Sequence, residues 1–168
     1  MPEPAPRRIV TGHDGAGRSV ITADGAAPAS RSISDGAVFH EMWLTDASPA
    51  AVTADQREPT AVGQPLGPPA SGTRVRIVDM PPGVCSPMHR TESIDYGVVL
   101  EGTVTLVLDG GESVEIGQGE LVVQRGTSHA WENRSEAAAR LLFVLVAGSF
   151  DDELTALLPA DAVTHNVD

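Results

Sequence analysis

Two histidine-bearing stretches constrain this chain more than anything else in it. GVCSPMHRTESIDYGVVLEG runs from Gly83 to Gly102, and GELVVQRGTSHAWEN runs from Gly119 to Asn133. Each sets a histidine, His89 or His129, near the edge of an apolar run of β type. Side chains of a strand alternate, so His89, Thr91 and Asp95 share one face of a regular strand, with Ile94, Tyr96 and Val98 on the other. His129 and Trp131 are likewise a same-face pair. If the strands curl into one barrel, His89, Asp95 and His129 point into its lumen. Two imidazoles and a carboxylate give mixed N/O ligation, which with open positions suits Fe(II) and also Mn, Ni, Zn or Co.

The surrounding texture predicts such a barrel. Thr73–Met80 alternates polar and apolar residues, and Pro81-Pro82-Gly83 breaks it. Short strands follow at Ile94–Leu100, Thr103–Leu108, Ser113–Ile116 and Leu121–Gln124, separated by Glu101-Gly102, Asp109-Gly110-Gly111 and Gly117-Gln118-Gly119. Short strands at this spacing, with turn residues between them, signal an all-β sandwich or barrel. Arg140–Val146 is a near-continuous apolar run, as expected of a strand buried on both sides. The tail from Ser149 to Pro159 reads as a short helix capped by Ser149 or Asp151, with Leu154, Leu157 and Leu158 packing on the barrel.

Before Thr73 the pattern is looser. Arg8–Thr11 and Ser19–Thr22 flank Asp14-Gly15-Ala16-Gly17, a hairpin signature with His13 at its lip. Such a hairpin can add to a neighbour's sheet and build a dimer. Ala26 to Gly36 reads as a loop, and Val38–Thr45 as a strand with His40 and Met42 on one face. Asp46 to Gly72 carries Pro49, Pro59, Pro65, Pro68 and Pro69 and little periodicity. A connection of that length is a surface excursion or a flap beside the barrel mouth.

Composition narrows the function classes. The 168 residues fit one domain, 1–168, with a core large enough to bury. Eleven basic against 23 acidic residues give a formal charge of −12, which argues against nucleic acid and anionic membranes as partners. The single cysteine, Cys85, rules out an intramolecular disulfide and multi-cysteine zinc sites, and reads as a small buried hydrophobe. No apolar leader opens the chain and no run approaches a membrane span, so a cytoplasmic protein is the expectation.

The first stretch resembles the first signature of the cupins, a glycine, five residues, H-x-H-x-x-x-E, six residues and a glycine. Gly83, His89, Asp95 and Gly102 fall on those spacings. The second cupin signature ends G-x-x-H-x-x-x-N, and Gly126, His129 and Asn133 match it. The resemblance covers roughly residues 73–147. It implies a single cupin-type β-barrel, a double-stranded β-helix or jelly roll, with residues 1–72 and the C-terminal helix as additions. It also implies a homodimer joined through N-terminal strands. The departures are specific. The family's second histidine is Thr91, its glutamate is the shorter Asp95, the proline of the second signature is Gln124, and one residue is missing between Gly119 and Gln124.

By this resemblance a divalent metal ion (Fe, Mn, Ni or Zn) is held by His89, Asp95 and His129. Thr91, Tyr96, Gln124, Trp131 and Met88 are the candidate pocket residues, and Arg125 could clamp a substrate carboxylate. Arg90 is expected to face outward. Two functions remain open on the sequence. One is a metal-dependent enzyme acting on a small organic molecule by oxygenase, isomerase or cyclase-type chemistry, with no general base identifiable. The other is a non-catalytic cupin that binds or senses a small ligand.

Overall fold

Where the sequence alternates, strands form, and the register between them sets which faces meet. The computed structural model describes residues 4–55, 57–60, 67 and 70–159. In chain order its strands are β1 (Arg7–His13), β2 (Ser19–Ala26), β3 (Ala29–Ser32), β4 (Val38–Thr45), β5 (Thr73–Met80), β6 (Ser93–Glu101), β7 (Thr103–Leu108), β8 (Ser113–Gly117), β9 (Leu121–Arg125), β10 (His129–Glu132) and β11 (Ala139–Ala147). One short helix, α1 (Asp152–Leu157), follows.

The strands make a six-stranded sheet in the order β3-β4-β5-β11-β6-β9, a three-stranded sheet β10-β7-β8, and a separate hairpin β1-β2. The fold is all-β and jelly-roll-like, but the sheets do not close into one hydrogen-bonded barrel. The two larger sheets bury a shared core of Val78, Met80, Val99 and Leu141 from one and Val104, Leu106, Ile116 and Trp131 from the other. β11 lies between β5 and β6, the central place its apolar run predicted.

The two sheets are joined along one seam. The segment after β5 runs antiparallel to β10, with Gly83 N donating to Asn133 O, Asn133 N to Val84 O, and Ser86 N to Trp131 O. It ends at a bridge in which the His89 and His129 amides each donate to the other's carbonyl at 2.9 Å. Asn133 is buried, and its Nδ2 donates to Met80 O and Ala137 O, which fixes the β10–β11 loop. Gly102 shows why the first signature ends in glycine. Its φ is +76°, and a Cβ there would lie 2.8 Å from Ala138 O.

The N-terminal hairpin forms as expected. The Asp14 carboxylate accepts from the amides of Ala16 and Arg18 and closes the turn. Arg8 fastens the hairpin to the body through Met42 O and an ion pair with Glu58, whose carboxyl is held down at about 2 chiefly by that guanidinium.

Two expectations are corrected. Ala29–Ser32 was expected within a loop and is the edge strand β3, because pairing with β4 outweighs its weak β propensity. Helix α1 is shorter than the expected 149–159, with its N-cap at Asp151, and buries no residue; Leu157 is 77 % exposed. Of the excursion from Asp46 to Gly72, Glu58 is pinned by Arg8 and Thr60 is buried. No described residue of that excursion lines the cavity described below. Pro65, Pro68 and Pro69 lie outside them.

Candidate functional site

A cavity of about 340 Å³ opens between the two larger sheets. Its wall includes His89, Thr91, Asp95, Gln124, His129 and Trp131 among the residues singled out in the sequence. Asp95 and Gln124 stand on β6 and β9 and His129 and Trp131 on β10, whereas His89 and Thr91 precede β6, with His89 held by an isolated bridge to His129. The apolar part of the wall comes from Phe39, Val78, Met80, Phe143 and Leu145, with Ile33 and Asp35 from the β3–β4 loop. Tyr96 and Met88 are corrections. Tyr96 is 42 % exposed on the outer face of β6, as alternation from Asp95 requires, and Met88 is 43 % exposed; neither lines the cavity. Arg125 is exposed and outside the wall.

The two histidines form one unit. Their ring centroids are 4.2 Å apart at an interplanar angle of 56°. In each ring Nδ1 lies 2.9 Å from a carbonyl two residues back, Pro87 O for His89 and Thr127 O for His129. A carbonyl only accepts, so Nδ1 carries the proton and Nε2 is the basic nitrogen. Burial lowers both pKa values, and His89 lowers His129 further, to about 4. Both rings are neutral at pH 7. Trp131 meets His129 edge-on at 6.3 Å and Phe143 at 5.3 Å, extending an aromatic wall from the pair.

Asp95 belongs to a second polar group. It lies opposite Gln124 of β9 and Leu145 of β11 in register. Thr91 and Ser93 precede it at alternate positions, with Thr91 Oγ1 2.8 Å from Ser93 Oγ, and Ser93 bonds to the carboxylate. Ser93 was not singled out in the sequence, although its period-two spacing with Thr91 and Asp95 marks it. Burial pushes the Asp95 carboxyl up to about 6, against a smaller opposing effect of Ser93. Asp95 Oδ1 and Gln124 Nε2 are buried without a hydrogen-bond partner. Gly97, next along the same face, makes room for Phe143; a Cβ there would be 2.9 Å from Phe143 Cε1.

His89, Asp95 and His129 therefore line one cavity without converging on one point. Among the described residues, no three His, Cys, Asp or Glu side chains come together closely enough to hold a metal ion. The imidazole pair has the tautomer a metal ligand needs. Asp95 does not join the pair as a third donor; it bonds to Ser93 instead. As placed, the three residues do not fit a resident ion.

Other sequence candidates have structural roles. His40 is buried with Nδ1 2.7 Å from Ser30 Oγ and Nε2 3.0 Å from Asp79 Oδ2, and Arg140 also grips Asp79. Arg90, expected to face outward, is buried and pairs with Asp109 at 3.3 Å. Cys85 is exposed rather than buried, and partial desolvation followed by the Glu132 carboxylate raises its thiol pKa.

Comparison with known proteins decides the family. The cupin domain family matches residues 76–145. A cupin-domain-containing oxidoreductase, fogC of Aspergillus ruber, is 35 % identical over 144 residues, covering 83 % of this chain and 71 % of that protein. This chain is a cupin. Phomopsin biosynthesis cluster protein C' of Diaporthe leptostromiformis is similar to this cupin at 44 % identity over 147 residues, covering 83 % of the chain and 77 % of the relative. Among solved structures, the Cnp3 cupin domain of Schizosaccharomyces pombe has a TM-score of 0.52 at 13 % identity, covering 90 % of this chain and 91 % of that one. That likeness concerns the fold alone. No described helix is long and apolar enough to cross a membrane.

Proposed function

We propose that this cupin is an enzyme acting on a small organic molecule bound between the sheets, with Asp95 as the proton-transfer residue. The observation that carries this reading is Asp95 itself: a carboxyl in a largely apolar cavity wall, raised to about 6, with one oxygen unpartnered. A base poised near neutral pH is what general acid–base catalysis asks for. Asp95 takes a proton from carbon beside a carbonyl and returns it at another position, which is an isomerisation. The same transfer with loss of a hydroxyl or with ring closure gives dehydratase or cyclase-type chemistry. Thr91 and Ser93 orient the carboxylate, and the neutral imidazole pair offers Nε2 to the ligand as an acceptor. The cupin relatives support an enzyme-like role, since fogC is named an oxidoreductase and the Diaporthe leptostromiformis protein a biosynthesis cluster protein.

Those oxidoreductase names favour a second reading, in which the His89–His129 pair is the protein's share of a divalent metal site (Fe, Mn, Ni or Zn). One experiment separates the two. Purified protein is assayed for metal content beside His129→Ala, and for hydrogen–deuterium exchange of cyclic ketone and phenolic probes beside Asp95→Asn. Probe exchange that depends on Asp95 supports acid–base chemistry. Stoichiometric metal that is lost in His129→Ala, with exchange indifferent to Asp95, overturns it in favour of the metal reading. Saturable probe binding with no turnover of any kind would leave the non-catalytic binding role.

We further propose that the protein is a homodimer joined through the β1–β2 hairpin. The hairpin is a sheet of its own and exposes Ile9 (52 %) and Ile21 (64 %).

A further inference from the structure

The strands β9, β6 and β11 carry one end of the cavity as a row of side chains. Gln124 opposes Asp95, and Asp95 opposes Leu145. Two residues along, Val122 opposes Gly97, and Gly97 opposes Phe143. Gln124, Asp95, Leu145 and Phe143 all line the cavity. The first row therefore runs from an amide through a carboxyl to an apolar side chain, and the second sets the Phe143 ring against Gly97.

Gln124 is 3 % exposed, and its Nε2 has no hydrogen-bond partner among the described residues. An amide nitrogen has two hydrogens to give. Asp95 Oδ1, on the adjacent strand, is buried and unpartnered as well. Opposed side chains on neighbouring antiparallel strands stand ~4.5–5.5 Å apart at Cβ. The amide nitrogen and the carboxyl nevertheless do not bond to each other. A buried donor and a buried acceptor, side by side on the wall of one cavity, fit a molecule that offers an acceptor to the first and a proton to the second. Neighbouring polar groups are committed otherwise. The Nδ1 protons of His89 and His129 go to Pro87 O and Thr127 O, which leaves each imidazole an acceptor. Thr91 and Ser93 bond to one another, and Ser93 to Asp95. Arg76 donates to Glu41 from Nε and Nη2.

We infer that the molecule turned over here is a ketone, and that Gln124 is a catalytic residue whose Nε2 donates to the ketone oxygen. This rests on the reading that Asp95 is the proton-transfer residue. With the oxygen on Gln124, the carbon beside the carbonyl falls in front of Asp95 Oδ1, and the skeleton lies on Leu145 and Phe143. Asp95 takes a proton from that carbon. The C–H electron pair becomes the new C=C bond, and the carbonyl π pair moves onto oxygen as an enolate. Negative charge grows on the atom that Nε2–H already faces, and a preorganised donor in a water-poor site acts most strongly on such charge. Asp95 then returns the proton, to the same carbon or to the far end of a conjugated system, and the carbonyl re-forms. No electron acceptor is needed.

The test uses β-tetralone, a bicyclic ketone whose benzylic C–H beside the carbonyl is acidic enough to exchange in deuterium oxide. Exchange catalysed by the full chain is followed by proton NMR, and the carbonyl band of the bound, isotope-labelled ketone is read by infrared difference spectroscopy. Gln124→Met keeps the length of the side chain and removes the donor. It is expected to lower kcat for exchange about 10²- to 10³-fold with KM little changed, the loss usual for one donor to a developing oxyanion. The wild-type carbonyl band should lie below its position in an apolar solvent, and Gln124→Met should move it back. A wild-type band at the apolar-solvent position overturns the inference without recourse to a variant, and so does a loss confined to KM. Exchange that falls in Asp95→Asn but not in Gln124→Met overturns the role of Gln124 and leaves that of Asp95 standing. Exchange indifferent to Asp95→Asn, or none in the wild type, removes both.

Discussion

Asp95 and Gln124 oppose each other in register across β6 and β9, and each keeps one buried polar atom without a partner. A carboxyl oxygen and an amide nitrogen in that state are a cost the fold carries, since an unmade buried hydrogen bond is worth about 1–3 kcal/mol. Such costs collect where a ligand completes the bonding.

Replacing the carboxyl separates its chemical role from its structural one. Asp95→Asn is expected to lower turnover of an identified substrate by roughly 10²- to 10⁴-fold. The same variant no longer holds a desolvated charge, so its stability at pH 7 should rise by on the order of 2 kcal/mol in urea denaturation. A variant that loses stability and keeps turnover would assign Asp95 to packing.

Two titrations oppose each other over one pH range. Asp95 is raised from 3.8 to about 6, so the folded state binds more protons there and stability falls as pH rises through that window. His129 is lowered from 6.5 to about 4, so the unfolded state binds more protons and stability rises over nearly the same window. Wild-type stability between these limits should be flatter than either variant's. Asp95→Asn should show stability climbing with pH from about 4 to 6.5, and His129→Phe should weaken that climb and leave the fall due to Asp95. Urea midpoints taken at several pH values check the two slopes.

Gly97 sets the position of an aromatic ring. Gly97→Ala places a methyl 2.9 Å from Phe143 Cε1 and pushes the ring toward Trp131 and the cavity. The expected cost is about 1–3 kcal/mol, the usual range for an overpacked core. Near-ultraviolet circular dichroism should report the altered Trp131–Phe143 contact, and probe affinity should fall. An unchanged spectrum would show that the ring has room to yield.

The hairpin carries the assembly prediction. Light scattering should give twice the 17.5 kDa chain mass for the wild type, and Ile21→Asp should reduce it to one chain without lowering the melting temperature of the body. Wild-type protein at one chain mass would remove the dimer.

How much of this was legible beforehand depends on which interactions are local. β4, β5 and β7 begin and end where alternation predicted, because one buried face imposes a period of two. The two signatures carried the chain's turns and its histidine pair. β3 was not legible, since Ala29 to Ser32 become a strand only through pairing with β4. Nor was the separation of Asp95 from the histidines: alternation says which face a residue takes, while sheet membership says how far apart two faces lie. The buried arginines of β5 were present as a pattern, with Arg74 and Arg76 in step with Val78 and Met80. A polar residue on an alternating strand ordinarily marks the solvent side, so burial of that face was needed to reveal them.

The backbone seam between the segment from Gly83 to His89 and strand β10 has a mechanical consequence. It binds the two sheets along one edge as a spine binds the covers of a book. The imidazole pair sits on that spine, so the spacing of its two rings is set by main-chain hydrogen bonds and not by side-chain packing alone.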